Sequence, residues 1–213
     1  MFKRPFLLSR VRKPALEYVD GTPIVVWPDV LNPVVFRSGE WFARSLAEIA
    51  PLEPGASHTL LDMGTGSGVS AVFASRLGYL VTAVDINPEA VRCARINALL
   101  NRVETKMDVF QGDLFEPVAG HKFDIVLFNP PFFRGKPRNL FDMAWRGTDV
   151  LERFAAGLGG VLTPTGRSLI LLSSDGDAQG MLDALERASL AVRVAASRNF
   201  GSEVMTIYEA RLK

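Results

Sequence analysis

From residue 58 onward the chain alternates short apolar runs with amphipathic stretches: "HTLLDM", "GVSAVFASRLG", "LVTAVD", "NPEAVRCARINALLN", "ETKMDVFQGD" and "FDIVLFN". Runs of five or six nearly continuous apolar residues suit strands buried on both faces, and the stretches between them carry helical spacing. This strand, helix, strand rhythm predicts a mostly parallel sheet covered by helices on both sides. Asn87 followed by Pro88 predicts a helix start, because Asn caps well and proline at the first helical position loses no hydrogen bond. Further on, "DVLERFAAGLGGVL" reads as a helix, "GRSLILLSS" as a buried strand and "AQGMLDALERASL" as a helix. Two last strands, "AVRVAASRNF" and "EVMTIYEARL", are separated by so few residues that they must pair antiparallel.

The expected fold is therefore α/β and Rossmann-like: an open, mostly parallel sheet of about seven strands with helices on both faces and an antiparallel C-terminal hairpin edge. Residues 1–54 read differently. "YVDGTPIVVWP" predicts a hairpin turning at Asp20-Gly21, and "GEWFARSLAEIA" an amphipathic helix, so 1–54 is an N-terminal extension and 55–213 the main domain.

At 213 residues and 48% hydrophobic content the chain suits one α/β domain with an extension. A formal net charge of +1 gives no global signature of nucleic-acid binding, which leaves local clusters to consider. Two stand out: Lys3, Arg4, Arg10, Arg12 and Lys13 at the N-terminus, and Arg134, Lys136 and Arg138 in a loop; each reads as a solvated segment or as a phosphate clamp. The single cysteine, Cys93, rules out an internal disulfide, sits in a predicted helix as core packing and fits a reducing compartment. The N-terminus lacks the long apolar stretch and cleavage site of a signal peptide, and no run approaches a membrane span, so a soluble cytoplasmic protein is expected.

Candidate chemistry collects at the ends of the predicted strands. In "LLDMGTGSGVSAVFA" Gly64, Gly66 and Gly68 let the backbone approach a ligand. The spacing departs from the dinucleotide fingerprint, since Val69 stands where the third glycine belongs. Asp62 before this loop would repel a pyrophosphate but could accept from an ammonium group. Asp85 ends the next strand, where an acid can hold the two hydroxyls of a ribose, and Asp113 in "QGDLF" could accept from an adenine amine with Leu114 against the ring. Each acid alone could be a cap or a solvated loop end; three at successive strand ends beside a glycine loop favour a nucleoside site. Then "FNPPFF", residues 128–133, must end a strand, because adjacent prolines remove two backbone donors and stiffen the chain, leaving Asn129 at the strand tip.

With "LDMGTGSG", "VDINPEA", "QGDLF" and "FDIVLFNPPFF" in this order, the chain resembles class I S-adenosylmethionine-dependent methyltransferases, and more narrowly the N/D-P-P-Y/F group and its HemK-like branch, which methylates a glutamine of translation release factors. The resemblance spans residues 58–210. It implies S-adenosyl-L-methionine as cofactor, held by Asp62, Gly64, Thr65, Gly66, Gly68, Asp85, Ile86, Asp113, Leu114 and Asn129, and no metal. It also implies that Asn129, Pro130, Pro131 and Phe132 hold a planar NH₂ group, with Asn129 and the Pro130 carbonyl accepting its hydrogens and Phe132 stacking on it. A segment around "VVFRSGEWFARSL" would close the site as a lid; whether a small activating partner is required stays open, and an exposed apolar edge would favour one. The release-factor enzymes carry Tyr at the Phe132 position, whereas Phe there resembles enzymes that methylate the exocyclic amine of guanine in ribosomal RNA. The expected substrate is thus a release-factor-like protein, with an RNA base as the alternative; a silent cofactor-binding module and an NAD-dependent oxidoreductase are the remaining readings.

Overall fold

A computed structural model describes residues 13–52 and 58–213. Lys3, Arg4, Arg10, Arg12 and the boundary at Pro54 lie outside the described residues, while Lys13 is exposed.

Strands β1 (Ala15–Val19) and β2 (Thr22–Val26) form the expected hairpin, with Val19 opposite Thr22. Its two turn residues, Asp20 (φ 45) and Gly21 (φ 73), both adopt left-handed backbone, the requirement of a two-residue turn that follows the strand twist. Helix α1 (Ser38–Ile49) follows. The main sheet then runs β3 (Thr59–Met63), α2 (Val69–Leu77), β4 (Leu80–Asp85), α3 (Pro88–Leu100), β5 (Met107–Gln111) and β6 (Phe123–Phe128). Two short strands, β7 (Phe133–Arg134) and β8 (Arg146–Gly147), flank the one-turn helix α4 (Leu140–Met143). The chain closes with α5 (Val150–Val161), β9 (Leu162–Ser173), α6 (Ala178–Arg187), β10 (Leu190–Asn199) and β11 (Val204–Leu212).

Seven strands lie in the order β10-β11-β9-β6-β3-β4-β5. Strands β3, β4, β5, β6 and β9 are parallel; β11 pairs antiparallel with both β9 and β10. The expected antiparallel hairpin is present, and its return strand lies inside the sheet, so β10 forms the edge and only β11 opposes the others. Side chains alternate between two cores, as a pleated strand requires. Leu60, Ile125, Leu127, Leu169 and Leu171 face the layer that contains the hairpin and helices α1, α2 and α3. Leu61, Val126, Phe128, Ile170 and Leu172 face α5 and α6. No helix among the described residues is long and apolar enough to cross a membrane.

The N-terminal hairpin is bolted to α3. Asn97, fully buried, accepts from Val25 N (2.8 Å) and donates through Nδ2 to Val25 O (2.7 Å) and Ser67 O (2.8 Å). Asn101 Nδ2 donates to Pro23 O at 2.9 Å. Cys93 packs in the same interface, where its thiol donates to Val25 O (3.1 Å) and burial pushes its pKa up to about 11, so it is no nucleophile at neutral pH.

Candidate functional site

The carboxyl ends of β3, β4 and β6 open onto a cavity of about 310 Å³, within the range of small-molecule sites. The glycine loop forms its floor. Gly66 (φ 57) has no heavy atom within 4 Å of where a Cβ would stand, so backbone faces open space there. Gly68 does something different: at φ 80 it caps α2, and a Cβ would lie 2.9 Å from Ala94 Cβ and 3.0 Å from Ala94 Cα. It sets the approach of α2 to α3 and stands outside the cavity lining. We expect Gly68→Ala to cost about 2 kcal/mol or more, from the left-handed backbone plus overpacking against Ala94. Denaturant titration checks this, and a loss below about 0.5 kcal/mol, the size of an ordinary surface change, would show that Ala94 yields.

Asp62 at the end of β3 is buried and accepts from Thr65 Oγ1 at 2.6 Å. Burial raises its pKa to about 7; the Thr65 hydroxyl only partly offsets this and nearby Asp85 adds to it. Asp85 closes β4, where its carboxylate accepts from Gly66 N (2.8 Å) and Asn87 N (2.9 Å). Burial raises its pKa as well, opposed by those backbone donors. The expected cap at Asn87 is present, with its carboxamide oxygen accepting from Glu89 N (3.0 Å) while Nδ2 donates to Asp29 O (2.8 Å). One side chain thereby starts α3 and tethers the rim. Ile86, Asp113 and Leu114 complete this side of the cavity. Asp113 lies two residues beyond β5, and Arg153 Nη2 donates to one of its oxygens at 2.6 Å.

Two rim residues, Asp29 (φ 64) and Leu114 (φ 48), hold left-handed backbone without being glycine. Such strain costs on the order of 1–3 kcal/mol and persists only where surrounding packing imposes it.

Across the cavity, β6 ends at Phe128, whose ring stacks 4.1 Å from Phe154. Asn129 follows, half-buried and lining the cavity with Pro131. Its Nδ2 donates to Ser38 Oγ at 3.4 Å, which leaves the carboxamide oxygen free of that contact. Pro130 is buried, and neither it nor Phe132 lines the cavity. Phe132 is half-buried against the core on the α1 face, and its carbonyl accepts from Asp177 N at 2.9 Å. Phe133 is 37% exposed, beneath the Arg146 guanidinium.

The basic loop after Phe133 is not a free clamp. Arg134 forms ion pairs with Glu152 (2.7 Å) and Asp177, and Arg138 pairs with Asp142 (3.1 Å). Gly39 and Phe42 belong to the "VVFRSGEWFARSL" segment expected to close the site and do line it, whereas Asp29 and Pro33 ahead of α1 and Arg146 and Thr148 after α4 escaped sequence reasoning. Their signal was weak, since they share neither motif nor periodicity; only "VVFRSGEWFARSL" pointed to this wall. Among the described residues no group of three or more His, Cys, Asp or Glu could hold a metal ion.

The residues suit a nucleoside with a cationic amino-acid tail: open backbone at Gly66, two burial-strained acids at strand ends and a neighbouring carboxamide. A family model for the methyltransferase small domain matches residues 34–199. A relative in Methanocaldococcus jannaschii, provisionally named a protein N5-glutamine methyltransferase, is 30% identical over 201 residues, 90% of this chain and 96% of that one. The Mtq2–Trm112 complex of E. cuniculi, responsible for methylation of the eRF1 translation termination factor, shares the fold at TM-score 0.65 and 20% identity, covering 87% of this chain and 99% of that one. The T. thermophilus 16S rRNA N2 G1207 methyltransferase RsmC, solved with AdoMet and guanosine, gives TM-score 0.70 and 19% identity over 94% of this chain and 50% of that one.

Proposed function

The chain belongs to the methyltransferase small-domain family and is an S-adenosylmethionine-dependent N-methyltransferase, and on that premise we propose that it methylates the side-chain amide of a glutamine in a release-factor-like protein. The observation that carries this reading is Asn129, a carboxamide at the tip of β6 in a proline-stiffened backbone, lining the same cavity as Asp62 and Asp85.

In this proposal Asp85 holds the ribose, Asp62 the ammonium group, Asp113 and Leu114 the adenine, and Gly64, Thr65, Gly66 and Ile86 the contour between them. The cofactor, when bound, would supply an electrophilic methyl group, its sulfonium–methyl bond breaking as the nitrogen–methyl bond forms, so that it leaves as the neutral thioether and the acceptor nitrogen sheds one proton to solvent. The acceptor amide is a poor nucleophile because its lone pair is delocalised. Asn129 Oδ1 accepts one of its N–H hydrogens, and the Pro130 carbonyl accepts the other once the buried Pro130 opens toward the cavity it does not line; together they turn the lone pair toward the methyl and stabilise positive charge as it grows on nitrogen. Phe132 reaches the acceptor's planar group only if its ring leaves the core face it packs against. Segment 1–54 is proposed as the wall and lid of the cavity, residues 55–213 as the transferase body, a small activating protein as a partner, and the cytoplasm as the place of action.

An RNA base is the second reading, favoured by Phe132 in the slot where the glutamine enzymes carry Tyr. Methyl-labelled cofactor with an undermethylated cell extract separates the two. Label removed by protease supports the glutamine; label removed only by ribonuclease overturns it.

Asp62 gives this proposal a pH signature. A pKa raised from 3.8 to about 7 means the apo protein holds a proton that the unfolded chain has released, so its stability falls as pH rises through that window. An ammonium group binds the ionised form, so cofactor affinity should rise up to about tenfold per pH unit below pH 7 and level off above it. Calorimetry from acid to neutral pH checks this. Asp62→Asn should flatten the slope, and an unaltered slope in that variant would remove Asp62 from ammonium binding.

A further inference from the structure

A second concavity, of about 330 Å³, lies on the other side of α1 and is lined by Val34, Arg37, Glu40, Trp41, Arg44, Arg198 and Phe200. Helix α1 serves both cavities: Gly39 and Phe42 wall the cofactor site, while Glu40, Trp41 and Arg44 line the groove with the preceding Arg37. Between the two sets stands Ser38, the residue that Asn129 touches. The far bank of the groove is the β10–β11 turn. Because β10 runs with the parallel strands and β11 against them, that turn lies at the same carboxyl edge as Asn129, tied there by Ser174 N donating to Val204 O (2.9 Å).

The groove has an aromatic floor and an unbalanced charge. Trp41 and Phe200 meet edge to face at 6.1 Å, and the Arg198 guanidinium lies 5.0 Å over the Phe200 ring. Arg44 is spent on Asp20 (3.1 Å) and Glu40 (3.3 Å), which also uses the groove's one carboxylate. Arg37 and Arg198 are exposed and form no ion pair with any described residue. Two guanidinium groups without an ion-pair partner among the described residues, both lining one groove with an aromatic floor, suit a carboxylate in charge and in donor chemistry. They are too few to follow a phosphate backbone, where affinity accumulates over several contacts, and Arg134 and Arg138 are already paired.

We propose that this groove is a substrate subsite that takes an acidic side chain of the protein, close in sequence to the residue being methylated. The proposal rests on the reading of the substrate as a protein. Arg37 and Arg198 close on the carboxylate, and Trp41 and Phe200 carry the neighbouring aliphatic part of the chain.

The test uses the full-length protein and short synthetic peptides that hold one glutamine and, at a series of flanking positions, either aspartate or asparagine. Calorimetry measures binding, and labelled cofactor measures transfer to the same peptides. At one or two positions the aspartate peptide should bind about tenfold tighter than its asparagine counterpart, the scale of one partly exposed charge-assisted contact. In the double variant Arg37→Gln/Arg198→Gln that ratio should fall to about one, while Arg37→Lys/Arg198→Lys keeps part of it. Equal binding of the two peptides, or a ratio that survives the Gln variant, overturns the subsite. So does a single-stranded RNA oligonucleotide whose binding depends on the two arginines when no peptide preference exists. The acceptor assignment fails separately: a binding preference with no methyl transfer supports the groove and discards glutamine.

Discussion

Asn129→Ala should lower kcat by on the order of 10²- to 10³-fold, the range found when one preorganised hydrogen-bonding group is removed from a site of developing charge. The proposal places the carboxamide oxygen where positive charge grows on the acceptor nitrogen, so its loss acts on the transition state. Cofactor affinity should stay within a few-fold, because Asp62, Asp85 and the glycine loop are untouched. The contact of Asn129 Nδ2 with Ser38 Oγ extends the argument to the N-terminal segment. The Ser38 hydroxyl both donates and accepts, so it does not choose which end of the carboxamide faces the substrate, but its contact holds the side chain in place at the cavity wall. Ser38→Ala should therefore reduce kcat with little change in cofactor binding, and by less than the loss of the amide itself. Asn129→Asp keeps an acceptor and should retain more activity than the alanine variant. Single-turnover rates with labelled cofactor, alongside calorimetric affinities, make the comparison. Unchanged turnover in the alanine variant would take Asn129 out of the mechanism and leave NPPF as turn architecture.

The elements and motifs that could be read from the chain are those whose cause is local. The Asp20-Gly21 turn, the Asn87-Pro88 cap and the strand-ending prolines each need only a few neighbouring residues to fix their backbone, and each is found where expected. The central strands were legible because burial on both faces produces unbroken apolar runs. The start of β9 was not: it follows α5 without a loop and carries Pro164 through an exposed stretch, so its apolar signal begins only past Gly166. Strands β7 and β8 have no periodicity to detect and exist through backbone pairs such as Phe133 N to Trp145 O (2.9 Å). The basic loop kept two readings open, a solvated segment or a phosphate clamp, for the same reason. The partners of Arg134 are 18 and 43 residues away in sequence, so nothing nearby showed that its charge was spent. Phe132 looked like a stacking residue from its position in the motif, yet ring direction depends on the core behind it.

Asn97 shows how far such long-range contacts bind the N-terminal segment to the cofactor loop. A hairpin that acted as a loose lid would tolerate loss of one side chain beneath it. Asn97 instead sits fully buried in α3 and satisfies Val25 N–H and the Ser67 carbonyl, joining hairpin and glycine loop through a single carboxamide. Asn97→Ala would leave both groups buried without a partner; Val25 O retains the Cys93 thiol. At about 1–3 kcal/mol for each orphaned group, the expected loss is about 3 kcal/mol or more of stability, well above an average substitution. Because Ser67 lies within the glycine loop, cofactor affinity should fall as well, even though Asn97 lines no part of the cavity. Denaturant unfolding and calorimetric binding read the two effects together. Stability within about 1 kcal/mol of the parent, with binding unchanged, would mean that the hairpin folds independently of the site. Loss of both would make the hairpin and the transferase body one cooperative unit, with any lid motion confined to the turns between β2 and α1.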